Sequence, residues 1–175
     1  MKLGTLPSRS GRDSLPGMTL HPEITLELAG PAQLEELLPF VAAYHSFEKV
    51  ETSVEQRRQS VGKLLRDKNL GEIWLVRKLD IVIGYIAICY SYSIEFGGRD
   101  AFIDEFYIAA EERGKGIGGR VLMEIAALLR ARGIVAVHLE VEGQNERARA
   151  TYARAGFSSR EKYHVMSREL ARPKS

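Results

Sequence analysis

Cysteine is nearly absent: Cys89 is the only one in 175 residues. An internal disulfide framework is thereby excluded, and a reducing, cytoplasmic setting is expected. Charge of either sign is hardly in excess. The balance is 25 Lys plus Arg against 23 Asp plus Glu, a net +2 at pH 7. Nothing in that balance argues for a nucleic-acid partner, so any cationic surface has to be local. No apolar run approaches the ~18–20 residues that a membrane-spanning helix needs, so no membrane partner is expected. The four histidines, His21, His45, His138 and His164, show no HExxH or other ligand spacing, and no metal is expected. Residues 1–22 hold Lys2, Arg9 and Arg12 among Ser, Gly and Pro and lack the apolar stretch of a signal peptide. They are expected to form a flexible N-terminal extension, with Met18 as an alternative start, ahead of a single domain at 23–172.

What is present suits one globular domain with a real core: 45% hydrophobic and 27% charged residues. Ile24 to Leu28 alternates as a short strand does. Gly30-Pro31 breaks it, and Pro31 fits a first helical turn. Leu34, Leu37, Leu38 and Val41 fall at helical spacing, predicting a helix to about Tyr44. Ser53 with Gln56 forms a capping box for a second helix, whose buried stripe is Val61, Leu64 and Leu65. Ile73 to Val76 and Ile81 to Tyr92 read as a hairpin joined by a short polar link. Ala101 to Ile108 is a third strand of this run. A helix over Gly116 to Arg132 ends at Gly133 in the C-cap manner. Val135 to Val141 is a strand, Asn145 to Ala155 a shorter helix, and Phe157 to Leu170 a final pair of strands. The predicted class is α/β, a mixed, mostly antiparallel sheet flanked by helices, in the order β-α-α-β-β-β-α-β-α-β-β.

The segment Arg113 to Leu122, RGKGIGGRVL, follows the strand run AFIDEFYIAA directly. Glycines at 114, 116, 118 and 119 let a backbone approach a ligand closely. The onset of a helix leaves amides unpaired and points a positive dipole end outward, so this turn predicts an anion site, with a phosphate group as occupant. Gly114, Gly116 and Gly119 also match the dinucleotide fingerprint GxGxxG, with Glu140 about 20 residues on, where a ribose-binding acid would sit. The setting opposes that reading, because a dinucleotide fold needs several parallel βαβ units and this chain offers one. The Walker pattern is absent.

Three linked pieces point elsewhere. The strand Ile103-Asp104-Glu105-Phe106-Tyr107-Ile108, the turn Arg113-x-x-Gly116-x-Gly118, and the pattern N-x-x-A-x-x-x-Y-x-x-x-G-F at Asn145, Ala148, Tyr152 and Gly156-Phe157 occur in order. Together they resemble the GNAT superfamily of N-acetyltransferases, over nearly everything from Ile24 to Leu170. The stretch from Asp104 to Phe157 is similar to the diamine and polyamine acetyltransferases, though nothing from His45 to Thr52 specifies an acceptor.

The resemblance implies acetyl-CoA as co-substrate. Its pyrophosphate would lie on Arg113, Gly114, Lys115, Gly116, Ile117, Gly118 and Gly119, and its pantetheine arm beside Phe106, Tyr107 and Ile108. Asn145 would cap its helix and contact the cofactor. Tyr152, two helical turns on, would protonate the departing thiolate. The acceptor would be a small-molecule or protein amine. Asp104 and Glu105 are the candidates to take its proton; as strand neighbours they point to opposite faces unless a bulge intervenes. The family's acceptor groove lies between the loop AYHSFEKVE and the final hairpin around Arg160 to Val165, making Phe47, Glu48 and Glu51 candidate liners. Dimers are common in the family, so a homodimer is among the expectations. A non-catalytic acyl-CoA-binding sensor is the alternative function. Cys89 reads as a buried small hydrophobe, and the charge runs Gln56 to Arg58 and Glu146 to Arg149 as solvated helix faces.

Overall fold

A computed structural model describes residues 18–21, 23–168 and 170. Six strands lie side by side in chain order: β1 (Met18–His21), β2 (Ile24–Leu28), β3 (Gly71–Lys78), β4 (Ile81–Ser93), β5 (Gly98–Ile108) and β6 (Ala136–Leu139). Neighbours are antiparallel except β5 and β6, which run parallel. A parallel pair cannot be closed by a hairpin, and helix α3 (Ile117–Ala131) makes the crossover. Helices α1 (Leu34–Glu48) and α2 (Val54–Arg66) precede the sheet's centre in sequence, and α4 (Glu146–Arg154) follows β6.

The sheet is buried on both faces, and the alternation in β3 shows how the sequence achieves it. Ile73 and Leu75 join one core with Leu37 and Val41 of α1 and Val61 and Leu65 of α2. Trp74 and Val76 join the other core with Val121, Leu122, Ile125 and Leu129 of α3. Period two in the strand meets a 3.6-residue stripe in each helix. Each fully buried Leu or Ile of this kind contributes roughly 1.5–3 kcal/mol. Ser53 caps α2 by accepting from Gln56 N at 3.1 Å, while the Gln56 side chain accepts from Ser53 N at 3.0 Å, the capping box read from the sequence.

One irregularity sets up the site. In the β4–β5 ladder Ala87 opposes Glu105 and the next pair is Ile88 with Ile103, which leaves Asp104 without a partner. This bulge turns Ile103 into the α3 core while Glu105, only two residues on, faces α1. A second feature is the end of the β5–β6 ladder at Ile103 and Leu139. Beyond it no strand among the described residues covers the β6-facing side of β5 from Asp104 to Ile108.

Two expectations are corrected. The final pair of strands over Phe157 to Leu170 does not form among the described residues, although Tyr163 and Val165 alternate as strand residues do. Among the described residues this segment pairs neither with the outer edge of β6 nor with β5 beyond Ile103. Instead Arg160 ties this segment to the β4–β5 turn, donating to Glu95 at 2.7 Å and lying over the rings of Phe96 and Tyr163. At the other end, the extension expected over residues 1–22 includes β1, whose Met18 and Thr19 pair with Leu26 and Thr25. Backbone pairing with β2 fixes these residues despite their Gly- and Pro-rich surroundings. The rest of that extension lies outside the described residues.

Candidate active site

The cleft is built around the turn between β5 and α3. Gly114 and Gly116 have φ of 83° and 78°, the left-handed region where a Cβ is disfavoured. Gly116 is the N-cap of α3, and the first helical bond runs from Arg120 N to the Gly116 carbonyl. The amides of Ile117, Gly118 and Gly119 are therefore the free donors of the first turn, and the positive end of the helix dipole sits with them.

Around this turn lies a cleft of about 720 Å³. One wall is Phe106, Tyr107 and Ile108 of β5, where the sheet has parted. The opposite wall is α4, through Asn145, Arg147, Ala148, Thr151, Tyr152 and Ala155. Tyr44, Phe47 and Glu48 at the end of α1 close one side. Of the residues singled out from the sequence, Phe106, Tyr107, Ile108, Arg113, Gly114, Gly116, Ile117, Gly118, Gly119, Asn145 and Tyr152 line this one space.

Lys115 does not. It donates to Glu112 at 2.9 Å, and Glu112 also takes Lys78. Those two ammonium groups hold the Glu112 carboxyl below the usual range, Lys115 first. Lys115 thus braces the turn from outside. Arg113 also has a bracing part: its Nε donates to the Ile108 carbonyl at 2.8 Å, and its guanidinium lies 5.1 Å from the Tyr107 ring and 5.2 Å from that of Phe47.

Asn145 caps α4, its side-chain oxygen accepting from Ala148 N at 3.0 Å. That cap aims one face of the helix into the cleft. Tyr152 sits there, edge-on to Phe157 at 6.0 Å. Burial, then the Glu48 charge, push its phenol above the ordinary tyrosine range. It keeps its proton at neutral pH, as a proton donor must.

Neither Asp104 nor Glu105 lies in the cleft's immediate lining. Glu105 shares a strand face with Tyr107, which does line it. Its Oε1 is 2.7 Å from His45 Nε2, its Oε2 2.5 Å from the Tyr85 hydroxyl, and its side chain is 20% exposed. Burial first, then the Glu105 charge, drive the Tyr85 phenol far up, so Tyr85 donates. Asp104 stands on the bulge, exposed at the mouth of the parted strands. Despite that surface exposure, desolvation by the chain crowded around it, then Glu105 and Glu140, hold its carboxyl above the usual range, with His45 opposing.

Two residues escaped the sequence reading. Arg147, placed there on a solvated helix face, lines the cleft and lies against the turn, its Nη2 2.9 Å from where a Cβ on Gly114 would stand. Residues 147, 148, 151, 152 and 155 form one helical stripe, so a projection from Tyr152 contains the signal. Arg57 of α2 points inward to His45, with Nε 3.3 Å from Nδ1, and no local pattern marks it. Among the described residues no cluster of three or more His, Cys, Asp or Glu is placed to hold a metal ion. No described helix is long and apolar enough to cross a membrane.

Comparison with known proteins agrees with this geometry. The model of the acetyltransferase (GNAT) family matches residues 34–157. A thialysine N-epsilon-acetyltransferase from Bos taurus is 32% identical over 75 residues, covering 43% of this chain and 44% of that protein. A mycothiol acetyltransferase from Beutenbergia cavernae is 40% identical over 62 residues, covering 34% of this chain and 21% of that protein. The chain thus spans less than half the length of the curated relatives it matches. In fold it is similar to a structure from Clostridium difficile 630 described as a possible acetyltransferase, with a TM-score of 0.74 at 24% identity over 86% of this chain and 99% of that one. An aminoglycoside acetyltransferase from an uncultured soil metagenomic sample gives 0.73 at 12% identity over 87% and 100%.

Proposed function

Because the chain belongs to the acetyltransferase (GNAT) family, we propose that it transfers an acetyl group from acetyl-CoA to a primary amine, by direct attack in a ternary complex. The observation that carries this reading is the convergence of three features on one cleft: free helix-start amides, an uncovered strand edge, and a protonated tyrosine. The amides suit a pyrophosphate without a metal ion. Arg113, Arg120, Arg147 and Arg154 line the same region and add positive charge. Arg147 lies in the first turn of α4, where a cation opposes the helix dipole, and an anion beside it would relieve that repulsion. The uncovered edge from Phe106 to Ile108 suits the amide-bearing pantetheine arm, which can lie along it as an added strand does.

The other end of the cleft is acidic, with Glu48 in its wall and Asp104, Glu105 and Glu140 nearby. An amine arrives protonated. Freeing a lysine-like amine at pH 7 costs about 4–5 kcal/mol, and a nearby carboxylate can relay the proton from nitrogen to solvent. We assign that role to Glu105 and assign attraction of the cationic acceptor to Asp104. The nitrogen lone pair then attacks the thioester carbonyl and the C–S bond breaks. The electron pair leaves on sulfur, which takes the Tyr152 proton, and the proton that nitrogen sheds as the amide forms returns to the Tyr152 oxygen through solvent. The thialysine acetyltransferase relative favours a small-molecule amine over a protein one. A thiol-release assay with acetyl-CoA and a panel of polyamines, amino acids, aminoglycosides and lysine peptides tests this. Release with at least one amine supports it. Saturable CoA binding with no release on any acceptor would favour an acyl-CoA sensor instead.

A further inference from the structure

His45 is buried, at 8% exposure, yet polar groups from β5, from α2 and from the loop between α1 and α2 reach its ring. Its Nε2 lies 2.7 Å from Glu105 Oε1 on β5. Its Nδ1 lies 2.9 Å from Thr52 Oγ1, in the loop between α1 and α2, and 3.3 Å from Arg57 Nε on α2. A guanidinium N–H can only donate, so Nδ1 is an acceptor here. Nε2, facing the carboxylate, carries a proton and donates it to Glu105. Tyr85, with no exposed surface, donates to the other Glu105 oxygen.

From this chain of donors we infer that His45 is a positioning residue for the proton-accepting carboxylate, and that Arg57 and Thr52 act through it by fixing its tautomer. The inference rests on the proposed acetyl transfer and deepens it. A carboxylate with one donor on each oxygen has a fixed plane and still keeps a free lone pair on each oxygen for water or an amine. The position of the clamp also matters. Lys49 to Ser53 join α1 to α2 beside the cleft-lining Phe47 and Glu48. Thr52 therefore ties the acceptor-side loop directly to the ring that holds Glu105. A histidine serving only to pin two helices would need neither the half-buried carboxylate partner nor the arginine that selects its tautomer.

The substitutions that test this follow from the donor pattern. Glutamine pairs an NH2 donor with a carbonyl acceptor, matching the donor and acceptor nitrogens of this imidazole tautomer, whereas alanine offers neither. His45→Ala is expected to lower kcat about 10- to 100-fold, in keeping with a misplaced catalytic group, with KM for acetyl-CoA within about twofold. His45→Gln is expected to restore kcat to within about threefold of the original. Val61→Ala supplies the structural control, since it loosens α2 against the same core without touching Glu105. Equal loss in His45→Gln and His45→Ala, or a Val61→Ala variant that reproduces the kcat loss at matched Tm, would overturn the inference. A second readout does not need turnover. Nitrogen-15 spectra of the histidine ring should place the proton on Nε2, with a signal that shifts in Glu105→Ala. A proton on Nδ1, or an Nε2–H signal indifferent to Glu105→Ala, refutes the clamp even if no amine is ever acetylated. A clamp that stands by this readout in a protein without turnover would indict the functional reading alone.

Discussion

The two ends of the cleft are made of different material. The end we assign to acetyl-CoA is backbone: amides of Ile117 to Gly119, two left-handed glycines and an uncovered strand edge. The end we assign to the amine is side chain: Glu105, held by His45 from 60 positions away and by Tyr85 across a ladder, with Asp104 displaced by a bulge. Backbone sites constrain residue type locally, because only glycine tolerates the turn. Side-chain sites depend on which elements meet, which no local pattern states.

Breaking one end should therefore look different from breaking the other. The largest effect is expected at the acceptor end. Glu105→Gln should lower kcat by about 10²–10⁴ with acetyl-CoA affinity unchanged, read by steady-state kinetics beside calorimetry. Tyr152→Phe comes next. Its kcat should fall about 10- to 100-fold with little change in acetyl-CoA binding, and unchanged turnover would remove Tyr152 as the acid. At the donor end the pattern should invert. Gly114→Val places a Cβ where φ is 83° and Arg147 stands 2.9 Å away. Left-handed strain of about 1–3 kcal/mol should appear mainly as an acetyl-CoA Kd about 10- to 100-fold weaker.

The smallest effect sharpens the contrast through stability. Asp104 has a carboxyl raised by poor solvation, then by Glu105 and Glu140. A folded-state pKa above the unfolded value means that ionised Asp104 opposes folding. The favourable contribution is full below the unfolded pKa and is lost as pH rises through the folded one. Asp104→Asn should therefore raise Tm at pH 7 while leaving it nearly unchanged near pH 3. A fall in Tm at pH 7 would show that the acidic end is not strained.

The same division explains what could be read from the sequence. The α3 stripe, the capping box at Ser53, the β3–β4 hairpin and the glycine turn are local patterns, and each stands where it was expected. The element order follows from them. The bulge at Asp104 is a property of pairing with β4, so adjacency alone left the roles of Asp104 and Glu105 undivided. Lys115 looked like a phosphate ligand because it is a cation in the turn, but Glu112 holds it aside. The last expected strands had the right alternation at Tyr163 and Val165, yet periodicity does not decide whether a free ladder edge is taken up, and here Arg160 holds the segment at the β4–β5 turn instead. His45 and Arg57 are outside any motif, and only the packing of α1 and α2 gives them partners, whereas Arg147 shares the helical stripe of Tyr152 and is legible from it.

The most direct measurement is to incubate the chain with acetyl-CoA and the amine panel, then follow free thiol and acetylated amine together by mass spectrometry. The account predicts one acetylated primary amine formed per CoA released, with both losses shared by Glu105→Gln. CoA binding without any acetylated amine, or binding of NAD in place of CoA, would contradict it.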